Sequence, residues 1–331
     1  IIETFAFMWL ILGIIVVSNG DADFQDFLPT LALFGAAAFR LMPSLNRILS
    51  SLQQINFAVE PITEIHRMMF ESASFLDVPI PNTSIIFKKE IAFSNVSYCY
   101  PEALSLSLKN ISFSIKKNEF VGIVGSSGAG KSTLLDIILG LLHPCEGKLK
   151  IDDETIEESN SRNWRSHIGY VPQNIFLLDD TLARNIAFGR TEIVDMNEVR
   201  RVSELAQIDQ FIDDMPNGFE TRVGENGVRL SGGQRQRIGI ARALYDGSDI
   251  LLFDEATSAL DNETEREVTK SILSLVGKIT MVVIAHRLST VEFADKLLLL
   301  DKGELSDIGT FEELMLSSEV FRRISLITES G

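Results

Sequence analysis

The chain has 331 residues, 45% hydrophobic and 23% charged, with 30 basic against 46 acidic side chains and a net charge of −16. That composition excludes global disorder and leaves room for one or two packed domains. The acid excess repels a phosphate backbone, so no general nucleic-acid partner is expected, while a local phosphate site built from amides and one lysine stays open.

The chain opens at Ile1 inside an apolar stretch, with no basic leader and no cleavage site, and reads as a fragment of something longer. Residues 5–17 are continuously apolar. The polar turn SNGDADFQDF follows, with acidic but no basic residues, and a second apolar run covers 27–42. Neither run alone reaches the roughly 20 residues that span a bilayer. The charge pattern favours a membrane assignment, because Arg40 stands near the end of the second run and Arg47 and Arg67 follow it. The positive-inside rule then places 18–26 outside and everything after Arg40 in the cytoplasm. One helix over 27–70 would be about 65 Å long, with Pro43 and Pro61 as expected bends. Residues 1–76 are accordingly expected to be the last two helices of an all-α transmembrane domain. Residues 77–85, rich in proline and polar side chains, read as a linker.

From residue 86 the periodicity changes. Alternating strands appear in IAFSNVSY and ISFSI, and buried strands in VGIVG, ILLF, ITMVVIA and KLLLL, with helical stretches between them. Residues 86–331 are therefore expected to be an α/β domain with a largely parallel sheet and helices on both faces. Cys99 and Cys145 have no metal-ligand spacing and suggest no disulfide framework; both read as reduced packing residues.

The strongest motif is Gly125, Ser126, Ser127, Gly128, Ala129, Gly130, Lys131, Ser132, Thr133. It fits the phosphate-binding loop, follows the strand VGIVG and opens the helical run STLLDIILGLL. Its glycines let backbone amides turn toward phosphate oxygens, and the helix start adds the positive end of a dipole. Lys131 is expected on the β and γ phosphates and Ser132 on Mg²⁺. A second motif ends the strand ILLF in Asp254 and Glu255, which places two carboxylates at the ligand edge of such a sheet. Asp254 is expected to hold Mg²⁺, and Glu255 to polarise the attacking water.

The third motif is Leu230, Ser231, Gly232, Gly233, Gln234. Ser231 suits a helix N-cap, and the glycines expose amides, which makes a second phosphate-binding device. LSGGQ beside a phosphate loop resembles the signature of the ABC ATPases. The resemblance implies the P-loop fold of that family, a mixed-sheet core with a helical subdomain. It implies ATP and Mg²⁺ as cofactors. It further implies a second ABC subunit, most simply a homodimer arranged head to tail, whose signature closes on ATP held by the first. Residue by residue, Tyr100 resembles the aromatic that stacks on adenine, with Tyr98 as competitor. Gln173 resembles the Q-loop glutamine that touches Mg²⁺ and senses the membrane domain. Glu225 resembles the exporter loop that meets the coupling helices. Ser258 to Asp261 resemble the D-loop, and His286 the switch histidine on the γ phosphate. His66, His143 and His167 match nothing and read as structural or surface. Arg235, Arg237 and Arg242 read as helix-surface charges or dimer contacts. FRLMPSLNRILSSLQQI together with GVRLSGGQRQRIGIARALY is similar to bacterial flippases of lipid-linked oligosaccharides, which implies an inner-membrane location and a lipid-linked or otherwise amphipathic cargo; export of another lipid, a drug or a peptide, and a membrane-free ABC ATPase of DNA repair or translation, are the alternative readings.

Overall fold

The computed structural model describes residues 8–9, 11–15, 24–76, 85–101, 103, 105–189, 194–254, 261–285 and 287–329. The chain divides into two compact units, Ile1–Pro79 and Ile80–Gly331.

In the first unit, residues 11–15 are helical. A single helix, α1, then runs Phe24–Leu76 over 53 residues, about 80 Å at the rise of an α-helix. It extends beyond the expected 27–70 and continues through Pro29, Pro43 and Pro61. Large apolar side chains stay exposed along it, among them Leu33, Phe34, Phe39, Phe57 and Phe70. Among the described residues no helix is long and apolar enough to cross a membrane. The helix carries Arg40, Arg47, Glu60, Glu64 and Arg67 together with a run of serines, asparagines and glutamines.

In the second unit the expected linker 77–84 lies outside the described residues. Residue 85, assigned to that linker, is instead core. Ile85 is 1% exposed, and its N–H donates to the Asn163 side chain at 2.8 Å. The first sheet is antiparallel, with strands β1 (Glu90–Tyr98), β2 (Leu108–Lys116), β4 (Glu146–Ile151) and β5 (Glu154–Thr155) in the order β2-β1-β4-β5. The second sheet contains β3 (Phe120–Gly125), β6 (Ile168–Val171), β7 (Ile250–Asp254), β8 (Thr280–Ile284), β9 (Lys296–Asp301) and β10 (Glu304–Gly309). Its order is β10-β9-β3-β8-β7-β6, and every pair is parallel except β9 with β10. The α/β expectation agrees with this architecture, and the antiparallel sheet makes it mixed.

The helices of this unit are α2 (Lys131–Ile138), α3 (Glu158–Arg165), α4 (Leu182–Ile186), α5 (Met196–Leu205), α6 (Asp209–Asp213), α7 (Gly232–Leu244), α8 (Asn262–Leu273), α9 (Phe311–Ser317) and α10 (Glu319–Glu329). The parallel sheet separates two cores because successive side chains on a strand point to opposite faces. Phe120, Val124, Leu251, Phe253, Met281 and Val283 enter one core, which the helices α4 to α8 complete. Val121, Ile123, Ile250, Leu252, Val282 and Ile284 enter the other, shared with the antiparallel sheet and α2. Burial of each such side chain contributes about 1.5–3 kcal/mol. Both faces being covered explains why these strands read as continuous apolar runs.

Candidate active site

The loop after β3 is shaped by its own main chain. The N–H of Ala129 donates to the Ser126 carbonyl at 3.1 Å, and the N–H of Leu134 to the Gly130 carbonyl at 2.9 Å. The β9–β10 turn pins the loop from the side, through the N–H of Gly303 to the Ala129 carbonyl at 3.1 Å. Gly130 caps α2 at φ 100°, a left-handed conformation that side-chain-bearing residues avoid. A Cβ there would also sit 2.8 Å from Leu108 Cδ2. Lys131 is 6% exposed. Its ammonium donates to the carbonyls of Gly125 at 2.8 Å and Ser126 at 3.0 Å, which satisfies a buried charge. Ser126, Ser127, Gly128 and Ser132 are exposed around it, whereas Thr133 is buried.

This loop borders a cavity of about 490 Å³, lined by Ser127, Gly128, Gly130, Lys131, Ser132 and Thr133 and on its far wall by residues 105–107, Lys109, Lys302 and Gly303. Three lysines, Lys109, Lys131 and Lys302, thus line one cavity in a chain whose net charge is −16, which makes it locally cationic, although Lys109 also pairs with Glu304 at 3.4 Å. At its edge Tyr100 is 40% exposed, and its hydroxyl lies 3.2 Å from Thr133 Oγ1. Tyr98 packs edge-on beneath it at 5.0 Å between ring centroids and is 7% exposed. Of the two tyrosines, only Tyr100 has a ring available for stacking.

Asp254 ends β7, opposite Ile284 of β8, and Ile284 in turn pairs with Ile123 of β3. The sheet order therefore carries its carboxylate to the edge where the phosphate loop begins. Two neighbours that sequence reasoning missed meet it there. The Tyr170 hydroxyl donates to Asp254 Oδ2 at 3.2 Å. Partial burial, then the charge and hydrogen bond of Asp254, push the Tyr170 phenol up to about 12. Asp136, on α2, has its carboxyl pushed above the usual range by burial and then by the Asp254 charge. Two mutually repelling carboxylates, Asp136 on the helix whose first turn holds Ser132 and Asp254, form an oxygen-rich spot that a divalent cation would relieve. Among the described residues no three His, Cys, Asp or Glu side chains converge as a closed metal site. Mg²⁺ needs no such cage, since it takes one or two carboxylates, waters and substrate phosphate oxygens. The residues present fit it.

Ser231 caps α7 through a reciprocal pair. Its hydroxyl accepts from the Gln234 N–H at 3.2 Å, and its own N–H donates to Gln234 Oε1 at 2.8 Å. Leu230 is buried, Ser231 is exposed and Gly232 is half-buried. Gly233 is buried because a Cβ there would run into Thr264 Cγ2 of α8. Asp261 caps α8 in turn, accepting from the N–H groups of Glu263 and Thr264 and from the Thr264 hydroxyl. Hydrogen bonds from Thr264 hold its carboxyl below the usual range. The phosphate loop and Lys131 line one cavity, with Tyr100 at its edge through Thr133, but none of Ser231 to Gln234 lines it.

Gln173 is exposed on the segment after β6, and Glu225 is exposed in a short turn before α7. Glu255, Ser258 and His286 lie outside the described residues. Next to His286, Arg287 and Ser289 both bond the buried Glu265 of α8, which fixes that segment to the helix. Arg235, Arg237 and Arg242 are not free surface charges. They are half-buried and donate within the chain, Arg235 to the Leu230 carbonyl, Arg237 to the Gln207 carbonyl and Glu267, and Arg242 to the Asn185 and Phe176 carbonyls. Each guanidinium supplies a donor to a main-chain carbonyl of a neighbouring segment. His167 is likewise structural, 2.8 Å from Asp249.

A phosphate loop on a parallel strand, an acid at the end of the strand two places away in the sheet and a capped glycine helix start define a nucleotide-binding domain of the ABC ATPase class. Residues 108–258 match the family model described as ABC transporter, and the chain carries the ATPase domain of that family. It is 37% identical over 281 residues to the ATP-dependent lipid A-core flippase of Bordetella avium, covering 85% of this chain and 46% of that protein. The corresponding flippase of Coxiella burnetii is 43% identical over 225 residues, covering 68% of this chain and 38% of the relative. The ABC transporter ATM1 of Toxoplasma gondii is 35% identical over 304 residues, 86% of this chain and 27% of that protein. A solved structure of a bacterial Atm1-family ABC exporter with ATP bound matches at a TM-score of 0.70 and 31% identity, over 98% of this chain and 55% of that one. The chain spans half or less of the length of these curated relatives.

Proposed function

We propose that this chain is the ATP-hydrolysing part of an ABC exporter that moves a lipid or glycolipid, such as a lipid-linked oligosaccharide, across the inner membrane. The observation that carries the reading is the separation of two phosphate-binding devices in one chain. The cavity at the phosphate loop is lined without any signature residue, while Ser231 stands exposed at the tip of α7. A second subunit arranged head to tail would supply the missing wall, and a homodimer is the simplest such pair.

In this reading Tyr100 stacks on adenine, and the amides of Gly128 to Thr133 and the Lys131 ammonium hold the phosphates. Ser132, Gln173 and Asp254 hold Mg²⁺, whose charge neutralises that developing on the phosphoryl oxygens. Tyr170 orients the Asp254 carboxylate. Glu255 positions the water, and His286 and the partner's signature close the γ-phosphate side; catalysis is then positioning plus charge stabilisation. The exposed apolar side chains of α1 suit a helix that other helices or lipid must cover. The lipid cargo is supported by relatives named lipid A-core flippase.

The test uses the complete protein in vesicles. Glu255→Gln should abolish phosphate release yet preserve ATP-dependent pairing of two subunits, and wild type should flip a fluorescent lipid-linked sugar with ATP. A Glu255→Gln protein that stays monomeric with ATP would remove the head-to-tail pair. Transport of peptides but not of lipid-linked sugars would replace the cargo.

A further inference from the structure

The two cysteines stand 46 positions apart, yet the fold places them side by side. Cys99 follows β1 and Cys145 precedes β4, where the two strands pair through Ser97 and Glu146. The Cys145 N–H donates to the Ser97 carbonyl at 2.9 Å. The Cys99 N–H points at Cys145 Sγ at 3.4 Å, and that sulfur lies 3.8 Å from the Cys99 carbonyl oxygen. Cys145 is exposed and Cys99 half-buried. One sulfur thus rests on the main chain of the other residue. Both cysteines lie just beyond the paired strand ends and one position off the Ser97–Glu146 register, so a bridge depends on side-chain reach, which the contact of Cys145 Sγ with the Cys99 main chain brings close.

The Cys99 thiol has other work meanwhile. Its Sγ lies 3.5 Å from the Tyr100 carbonyl oxygen, 3.4 Å from that of Ala103 and 3.5 Å from that of Ser105. It therefore gathers the loop between Tyr100 and Ser105 around itself. Ser105, Leu106 and Ser107 are the far wall of the 490 Å³ cavity, and Tyr100 stands at its edge. Turning the Cys99 side chain toward Cys145 releases all three contacts, including the one to Ser105 of that wall, while the Ser107 N–H still holds the Tyr98 carbonyl at 2.8 Å.

We propose that Cys99 and Cys145 form a reversible disulfide that weakens nucleotide binding in the adjoining cavity. The oxidant is a small disulfide such as oxidised glutathione. The exposed Cys145, as thiolate, attacks one of its sulfurs and expels the first glutathione thiolate, leaving a mixed disulfide. The Cys99 thiolate then attacks Cys145 Sγ and expels the second. The two protons lost by the cysteines end on the two glutathiones. The chain is oxidised by two electrons and the glutathione disulfide reduced by two. The nucleotide part of the inference rests on the cavity being the ATP site; the disulfide itself does not.

The full chain is equilibrated with oxidised glutathione, mapped by non-reducing peptide mass spectrometry, and titrated with a fluorescent ATP analogue. A Cys99–Cys145 cross-link is expected, with affinity falling about fivefold and recovering on reduction. Cys145→Ser should bind the analogue as the reduced wild type does and ignore the oxidant. A glutathione adduct on Cys145 that never closes onto Cys99 overturns the proposal. So does a closed disulfide with unchanged affinity. A reduced protein that binds no analogue at all would instead sink the nucleotide reading, while the peptide map still decides the disulfide.

Discussion

The two glycine-rich devices of this domain solve the same problem in different ways. The loop over Gly125 to Thr133 is bent, pinned by its neighbours and backed by a buried lysine, and it borders a cavity with two further lysines. The start of α7 is straight, its first amides answered by a capping box, and its exposed tip borders no part of that cavity. The first has the form of a binding site within one chain. The second has the form of half a contact. The lesson is that glycine at a helix start means one thing when left-handed turns curl amides around a point, and another when glycine only permits close helix packing.

The largest expected effect falls on the first device. Lys131→Ala should weaken ATP binding about 100-fold, read by titration calorimetry; unchanged affinity would erase the distinction between the devices. Next comes packing behind the second. Gly233→Ala forces a methyl into Thr264 Cγ2 and should cost about 2 kcal/mol in chemical denaturation. Adding Thr264→Ser removes that methyl, keeps the hydroxyl that bonds Asp261, and should restore most of the loss. Ser231→Ala removes one arm of the capping box and should cost about 1 kcal/mol. ATP affinity of the single chain should stay within about twofold of wild type, while hydrolysis that depends on protein concentration falls. A drop in single-chain affinity would show that the signature acts within its own chain.

A control sits in the antiparallel sheet, away from both. Burial opposes ionisation of Asp152, but the N–H groups of Glu90, Lys88 and Lys89 hold its carboxyl below the usual range. A depressed folded value means the stabilisation is present above the unfolded value, near pH 4, and is lost as pH falls through the folded one. Asp152→Asn should therefore cost about 1 kcal/mol at pH 7, with the gap closing below about pH 4. ATP binding should not change. A gap that persisted in acid would assign the loss to shape rather than charge.

The phosphate loop, the strand ending in Asp254 and the signature were legible because each is contiguous. Nine, five and five successive residues carry their own chemistry and their own strand or helix context. The strands β4, β5, β6 and β10 were not legible. They are short, and β10, ELSDIG, alternates only between exposed and half-buried, so no apolar period announces it. In the first unit the helix expected over 27–70 forms as Phe24–Leu76, a few residues longer at each end. Arg242 looked like a surface charge because its partners, Asn185 and Phe176, lie far away in sequence.

From the sequence alone came the fold class and the candidate phosphate-binding residues, since backbone geometry and local charge are set by neighbours along the chain. Only the folded structure joined Tyr170 and Asp136 to Asp254, chose Tyr100 over Tyr98 as the exposed ring, set Glu265 against Arg287 and laid Cys145 against Cys99. These are contacts between strands and helices far apart in sequence, and their partners are selected by register and burial, which no local pattern encodes.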